Sequence, residues 1–159
     1  MSATHILIML LACNGAPLLL EWLLRPHRSK AIDLGRTLAD GRPLLGDSKT
    51  WVGACAMLLS GLFFAWLFAL GWEFGLAFGA LVALGDLLSS FIKRRLGLSP
   101  GSGKNGLDQL PESALPTLYA VIVLDLPWTY AVVVPIAFWF AQKLLSKLLY
   151  RLGIRRQPH

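Results

Sequence analysis

Cysteine and charge are both scarce in this chain of 159 residues, and each scarcity excludes a class of function. Only Cys13 and Cys55 occur, each inside a different apolar run, so there is no disulfide framework and no thiolate metal spacing; packing thiols are the expectation. His5, His27 and His159 are scattered, which leaves no basis for a histidine metal site, and no nucleophile–base pair is evident. Charged residues make up 15% of the chain against 55% hydrophobic, and no Asp, Glu, Lys or Arg falls between Trp51 and Trp72. At ~1.5 Å rise per residue such a run crosses a hydrocarbon core of ~30 Å, so the composition predicts an all-α polytopic membrane protein.

Five spans are expected, at about 4–24, 51–72, 74–94, 113–125 and 127–149, in a single integral-membrane domain covering 1–159. Asn14, Gly15 and Pro17 predict a kink in the first, and Arg25-Pro26 its end. Only His5 precedes the apolar run at Ile6, so a retained helix is expected rather than a cleaved signal. Gly71, Gly75, Gly79 and Ala83 form a small-residue stripe suited to close helix packing.

The cations divide sharply. Arg25, Arg28, Lys30, Arg36, Arg42 and Lys49 lie in the loop 25–50. Lys93, Arg94, Arg95 and Lys104 belong to the end of the third span and the loop 95–112, and Lys143, Lys147, Arg151, Arg155 and Arg156 to the tail; together these are all fifteen. The two short opposite connections carry none. The positive-inside rule therefore predicts an outside N-terminus, with both long loops and the C-terminus cytoplasmic at the cell membrane. The net charge of +6 is then gathered on one membrane surface, where anionic headgroups or phosphates are its partners. A nucleic-acid partner is not expected, because the cations hug helix ends without interleaved aromatics.

Within the third span, Asp86, Ser89, Ser90 and Lys93 stand at i, i+3, i+4 and i+7, on one helix face. An acid inside a membrane helix costs several kcal/mol unless paired or metal-bound, so Asp86 is a candidate functional residue, with a salt bridge to Lys93 or Arg94 as the plainer alternative. Gly101, Gly103 and Gly106 then allow close backbone approach to phosphates, and Asp108 and Glu112 supply hard oxygen ligands. Gly46-Asp47-Ser48-Lys49-Thr50-Trp51 sets an acid, a cation and hydroxyls at a helix start, readable as a cap or as a phosphate site. Such an inventory suits phosphoryl or nucleotidyl transfer at a membrane surface, with a lipid as one substrate.

Those three stretches, Gly46–Trp51, Gly85–Arg95 and Gly106-Leu107-Asp108-Gln109-Leu110-Pro111-Glu112, resemble the CDP-archaeol synthase family in the same order, from the first loop through the fourth helix. Ser90-Phe91-Ile92-Lys93-Arg94 also looks like the Ser-x-x-Lys-Arg element of the wider phosphatidate cytidylyltransferases. Gln109 follows Asp108 where those larger enzymes have Arg, a departure that favours the archaeol branch. The resemblance implies CTP plus a lipid phosphate giving a CDP-lipid and pyrophosphate. It implies Mg2+ at Asp86 and Asp108 with Glu112 in support, catalytic roles for Asp86, Asp108 and Lys93, and substrate contacts from Lys49, Thr50, Ser89, Ser90, Arg94, Gly103 and Gly106. Asp47 is a further candidate, and Glu21 is assigned no role. A CDP-alcohol phosphatidyltransferase fails at its first motif, since Asp40-Gly41 is followed by Arg42-Pro43-Leu44-Leu45. The alternative is a small ion-coupled transporter or assembly factor using Asp86.

Overall fold

The computed structural model describes residues 1–23, 30–98 and 109–151. Within them the chain forms five α-helices: α1 (Ala3–Leu23), α2 (Trp51–Leu67), α3 (Trp72–Arg95), α4 (Gln109–Val123) and α5 (Tyr130–Arg151). The all-α class is therefore as expected. By length and composition α1, α3 and α5 can cross a membrane.

Helix boundaries depart from the apolar runs for local reasons. α2 has 17 residues and stops at Leu67 rather than Trp72. There the Leu70 N–H donates to the Ala65 carbonyl (2.8 Å), Ala69 adopts φ 55° and Gly71 φ 85°, so the chain reverses inside the uncharged stretch and enters α3 at Trp72 rather than 74. Absence of charge reports an apolar environment, and a helix can end within one. α4 begins at Gln109, ahead of the expected 113, because Pro111 falls in its first turn, where a missing N–H has no helical partner to lose. Glu112 consequently sits on a helix rather than in the loop 95–112. α5 starts at Tyr130 rather than 127, after a turn in which the Tyr130 N–H donates to the Pro127 carbonyl. α1 runs through Pro17 as one helix, and the Asn14 side-chain amide donates to the Leu10 carbonyl at 2.9 Å. The expected helix end at Arg25-Pro26 lies outside the described residues.

α3 lies between α2 and α4, and α1 packs on α2 and α5. A core of Ile6, Met9, Phe78, Val82, Val134 and Phe138 closes the bundle. Large apolar side chains such as Leu59, Phe63, Leu84, Val132 and Leu144 instead face outward, the arrangement expected where the surrounding solvent is lipid.

Two close approaches fix α3. Against α2, a Cβ on Gly75 would lie 2.7 Å from the Gly61 carbonyl oxygen, and one on Gly79 would lie 2.8 Å from the Met57 oxygen. The predicted stripe is thus a packing surface, with Gly61 as its partner; Gly71 belongs to the turn instead. Against α4, a Cβ on Gly85 would overlap the Pro111 carbonyl oxygen and sit 2.7 Å from Glu112 Cα. That contact brings the start of α4 onto α3 one residue before Asp86.

Gly15, by contrast, has open space around it: a Cβ there would meet nothing within 4 Å. Gly15→Ala should leave thermal unfolding in detergent unchanged or raise stability by about 0.5–1 kcal/mol, whereas Gly85→Ala should lower it by about 1–3 kcal/mol. Equal effects at the two sites would contradict the close α3–α4 approach.

Candidate functional site

The loop between α1 and α2 is a folded unit from Lys30 onward. Ile32 N–H donates to the Lys49 carbonyl (2.8 Å) and Trp51 N–H to the Lys30 carbonyl (3.3 Å), so the loop's two ends run side by side. Asp33 is buried at its centre. Its Oδ1 accepts from Gly35 N–H (3.0 Å) and its Oδ2 from the N–H groups of Leu45 (2.9 Å) and Gly46 (2.8 Å). Burial opposes the charge of this carboxylate, yet the backbone donors prevail and hold its pKa below the ordinary value. A second tie runs from the end of α3: Arg95 Nη1 donates to Asp40 Oδ2 (2.6 Å) and its Nη2 to the Pro43 carbonyl (2.6 Å), while Arg42 Nη1 donates to the Arg95 carbonyl. The Arg42 N–H, followed by Arg95, keeps the Asp40 carboxyl below its ordinary pKa as well.

This scaffold delivers Lys49 to α3. Its ammonium lies 2.6 Å from Asp86 Oδ1, with both side chains mostly buried. The salt bridge seen at Asp86 is to Lys49, whereas the plainer alternative read from the sequence named Lys93 or Arg94. Both lie about two turns further along α3, beyond the reach favoured by i, i+3 and i, i+4 pairing. On its other side Asp86 neighbours Glu112, which is buried in the first turn of α4. Ser89 ties Glu112 to α3: its hydroxyl lies 3.1 Å from Glu112 Oε1 and 3.0 Å from the main-chain carbonyl of Asp86. Two neighbouring carboxyl groups in an apolar setting need a shared proton or positive charge beside them; Glu112 and Asp86 are in side-chain hydrogen-bond contact, and Lys49 supplies a charge.

The sequence-predicted residues divide as follows. Lys49, Asp86, Ser89 and Glu112 converge on one point where the loop, α3 and α4 meet. Ser90 is buried on the same helix, and Lys93 is half-buried one turn beyond Ser89. Arg94 is buried, donating from Nη1 to the Leu98 carbonyl; its Nε, close to Gly46, has no partner among the described residues. Thr50 caps α2, its hydroxyl oxygen accepting from Gly53 N–H at 3.1 Å, which realises the cap reading of that motif. Asp47 is exposed on the loop. Asp108, Gly103 and Gly106 lie outside the described residues.

Asp33, Asp40 and Arg42 were legible only as members of a polar loop. The signal that marks them is local: Asp33-Leu34-Gly35 and Asp40-Gly41-Arg42 are side-chain turn sequences, in which the carboxylate accepts from the N–H two residues on.

The CarS-like, CDP-archaeol synthase family model matches residues 26–71 and 67–159. A CDP-archaeol synthase of Hyperthermus butylicus is 42% identical over 118 residues, covering 69% of this chain and 67% of that protein. One from Thermococcus kodakarensis is 39% identical over 146 residues, covering 81% of this chain and 82% of its own length. A solved intramembrane enzyme for archaeal membrane lipids biosynthesis aligns with a TM-score of 0.71 at 28% identity, over 91% of this chain and 92% of that one. On a family match that runs from the first loop through α5, and on relatives that match across most of the chain, this chain belongs to the CDP-archaeol synthase family.

Proposed function

We propose that this protein transfers CMP from CTP to the phosphate of an archaeal-type ether lipid, forming a CDP-lipid and pyrophosphate at the cytoplasmic surface of the cell membrane. The observation that carries this reading is the convergence of Lys49, Asp86, Ser89 and Glu112 beside the cationic end of α3, in a member of a lipid cytidylyltransferase family. The gathering of cations on the two long loops and the tail supports the cytoplasmic placement.

In the reaction an oxygen of the lipid phosphate attacks the α-phosphorus of CTP. A new P–O bond forms there, the bond to the bridging oxygen breaks, and pyrophosphate leaves with the electron pair. The attacking oxygen is already anionic, so no general base is needed. Catalysis then rests on alignment and on charge held in place before the reaction begins. Lys49, Lys93 and Arg94 are suited to hold the phosphates. Ser89 and Ser90 can donate to phosphate oxygens, and Gly103 and Gly106 are of the residue type that lets a phosphate come close to the main chain.

The chemistry of the donors fits Mg2+: Asp86 and Glu112 offer neighbouring carboxyl oxygens, with the Ser89 hydroxyl on Glu112, and these are hard ligands of the kind that ion takes; Asp108, outside the described residues, is a further candidate by residue type. When bound, Mg2+ would neutralise charge on the transferring and departing phosphates. The protein's part is to hold that oxygen cluster still, through the Gly85 contact on one side and the Lys49 loop on the other.

Purified protein offered each of the four nucleoside triphosphates, with either an ether-linked archaeal lipid phosphate or phosphatidate, should form product from CTP and the ether lipid. Absence of CDP-lipid with both acceptors would overturn the proposal. Asp86→Asn, nearly isosteric but uncharged, should lower turnover about 100-fold or more while leaving the melting temperature close to that of the parent protein. Near-normal activity in that variant would remove Asp86 from the site.

A further inference from the structure

Asp33 touches neither Asp86 nor any phosphate-binding candidate, yet it is the most enclosed acid of the first loop, at 4% exposure. An ionised carboxylate is not buried in a surface loop without structural need, and here the need is visible in its partners. Oδ2 gathers Leu45 and Gly46 from the returning arm of the loop, while Oδ1 closes the turn at Gly35 on the outgoing arm. The adjacent residue, Ile32, donates to the carbonyl of Lys49. Gly46, held at φ 96°, passes close to Arg94 Nε and is followed three residues later by Lys49, whose N–H donates to the Gly46 carbonyl at 3.1 Å. One carboxylate therefore joins both arms of the loop at the place from which Lys49 reaches Asp86.

We propose that Asp33 is a positioning residue for the CMP transfer: by binding the Leu45 and Gly46 amides it sets the backbone from which Lys49 meets Asp86 and along which Gly46 lies against Arg94. This rests on the cytidylyltransferase reading of the site. The residue acts through Lys49 and contacts no substrate. An Asn at this position keeps the size of Asp but has one acceptor oxygen in place of two, so either Gly35 on the outgoing arm or Leu45 and Gly46 on the returning arm face an amide NH2 group that only donates. The tie between the two arms is then broken without any change in the membrane-spanning bundle.

Two measurements on the full-length protein test this, and one needs no activity. In substrate-free protein, amine-reactive labelling followed by mass spectrometry reads the accessibility of the Lys49 ammonium, with Lys143 on α5 as an internal reference. Asp33→Asn should raise labelling of Lys49 several-fold and leave Lys143 unchanged. In the assay for CDP-lipid formation it should lower kcat about 10-fold or more, as expected when a reacting constellation is displaced, and add little in a Lys49→Gln background. Unchanged Lys49 labelling, or an equal loss of kcat with and without Lys49, overturns the positioning role. If the unmutated protein makes no CDP-lipid, the cytidylyltransferase reading fails, and labelling still decides whether Asp33 sets Lys49. Should Asp33→Asn not fold, hydrogen exchange on the unmutated protein serves: slow exchange at Leu45 and Gly46 supports the anchor, and fast exchange at both overturns it.

Discussion

The structure depends on how two carboxylates are kept side by side in an apolar bundle. Asp86 and Glu112 come from different helices, and their proximity requires α3 and α4 to touch at the backbone, which Gly85 allows. Two ionised carboxylates there would repel, so their side-chain hydrogen bond requires a shared proton, or a cation in its place. Lys49 lies 2.6 Å from Asp86, and the Ser89 hydroxyl bonds Glu112 to α3. A buried arrangement of this kind is poor as a source of stability, since desolvation consumes most of the Coulombic gain.

The first loop follows from the same constraint. A lysine on an unstructured connection would spend little time against one carboxylate, and the entropy of ordering its long side chain would oppose the pairing. Asp33 and the Asp40–Arg95 tie remove that difficulty by ordering the backbone first. Arg95, at the end of α3, holds the loop from outside while Arg94 lies buried beside it; adjacent cations thus serve different purposes because the helix turns them to different faces. The transporter or assembly-factor alternative gives way to an enzyme, since the relatives that match across most of the chain are synthases.

Part of the candidate site was legible in the sequence because its signals are local or chemically costly. An acid within an apolar run stands out, and helical spacing places Asp86 and Ser89 on one face without any knowledge of the fold. The pairing of Asp86 was not legible. Lys93 and Arg94 are near in sequence, but Lys49 is near in space only because a loop folds back through backbone hydrogen bonds that leave no periodic pattern. Helix ends were misplaced at Leu67 and Gln109 for a related reason. Hydropathy records the surrounding medium, whereas a left-handed residue at Ala69 and a proline in a first turn decide where a helix stops and starts. Gly61, the partner of the α3 stripe, was invisible until the two helices were seen to cross.

The central claim is that the Asp86–Glu112 pair is where the divalent cation and the triphosphate are received. Binding of Mn2+ in the presence of CTP, followed by electron paramagnetic resonance on the purified protein and on Asp86→Asn, addresses it directly. The account predicts a protein-bound Mn2+ signal whose affinity falls about 10-fold or more in the variant. Equal Mn2+ binding by both proteins would contradict it.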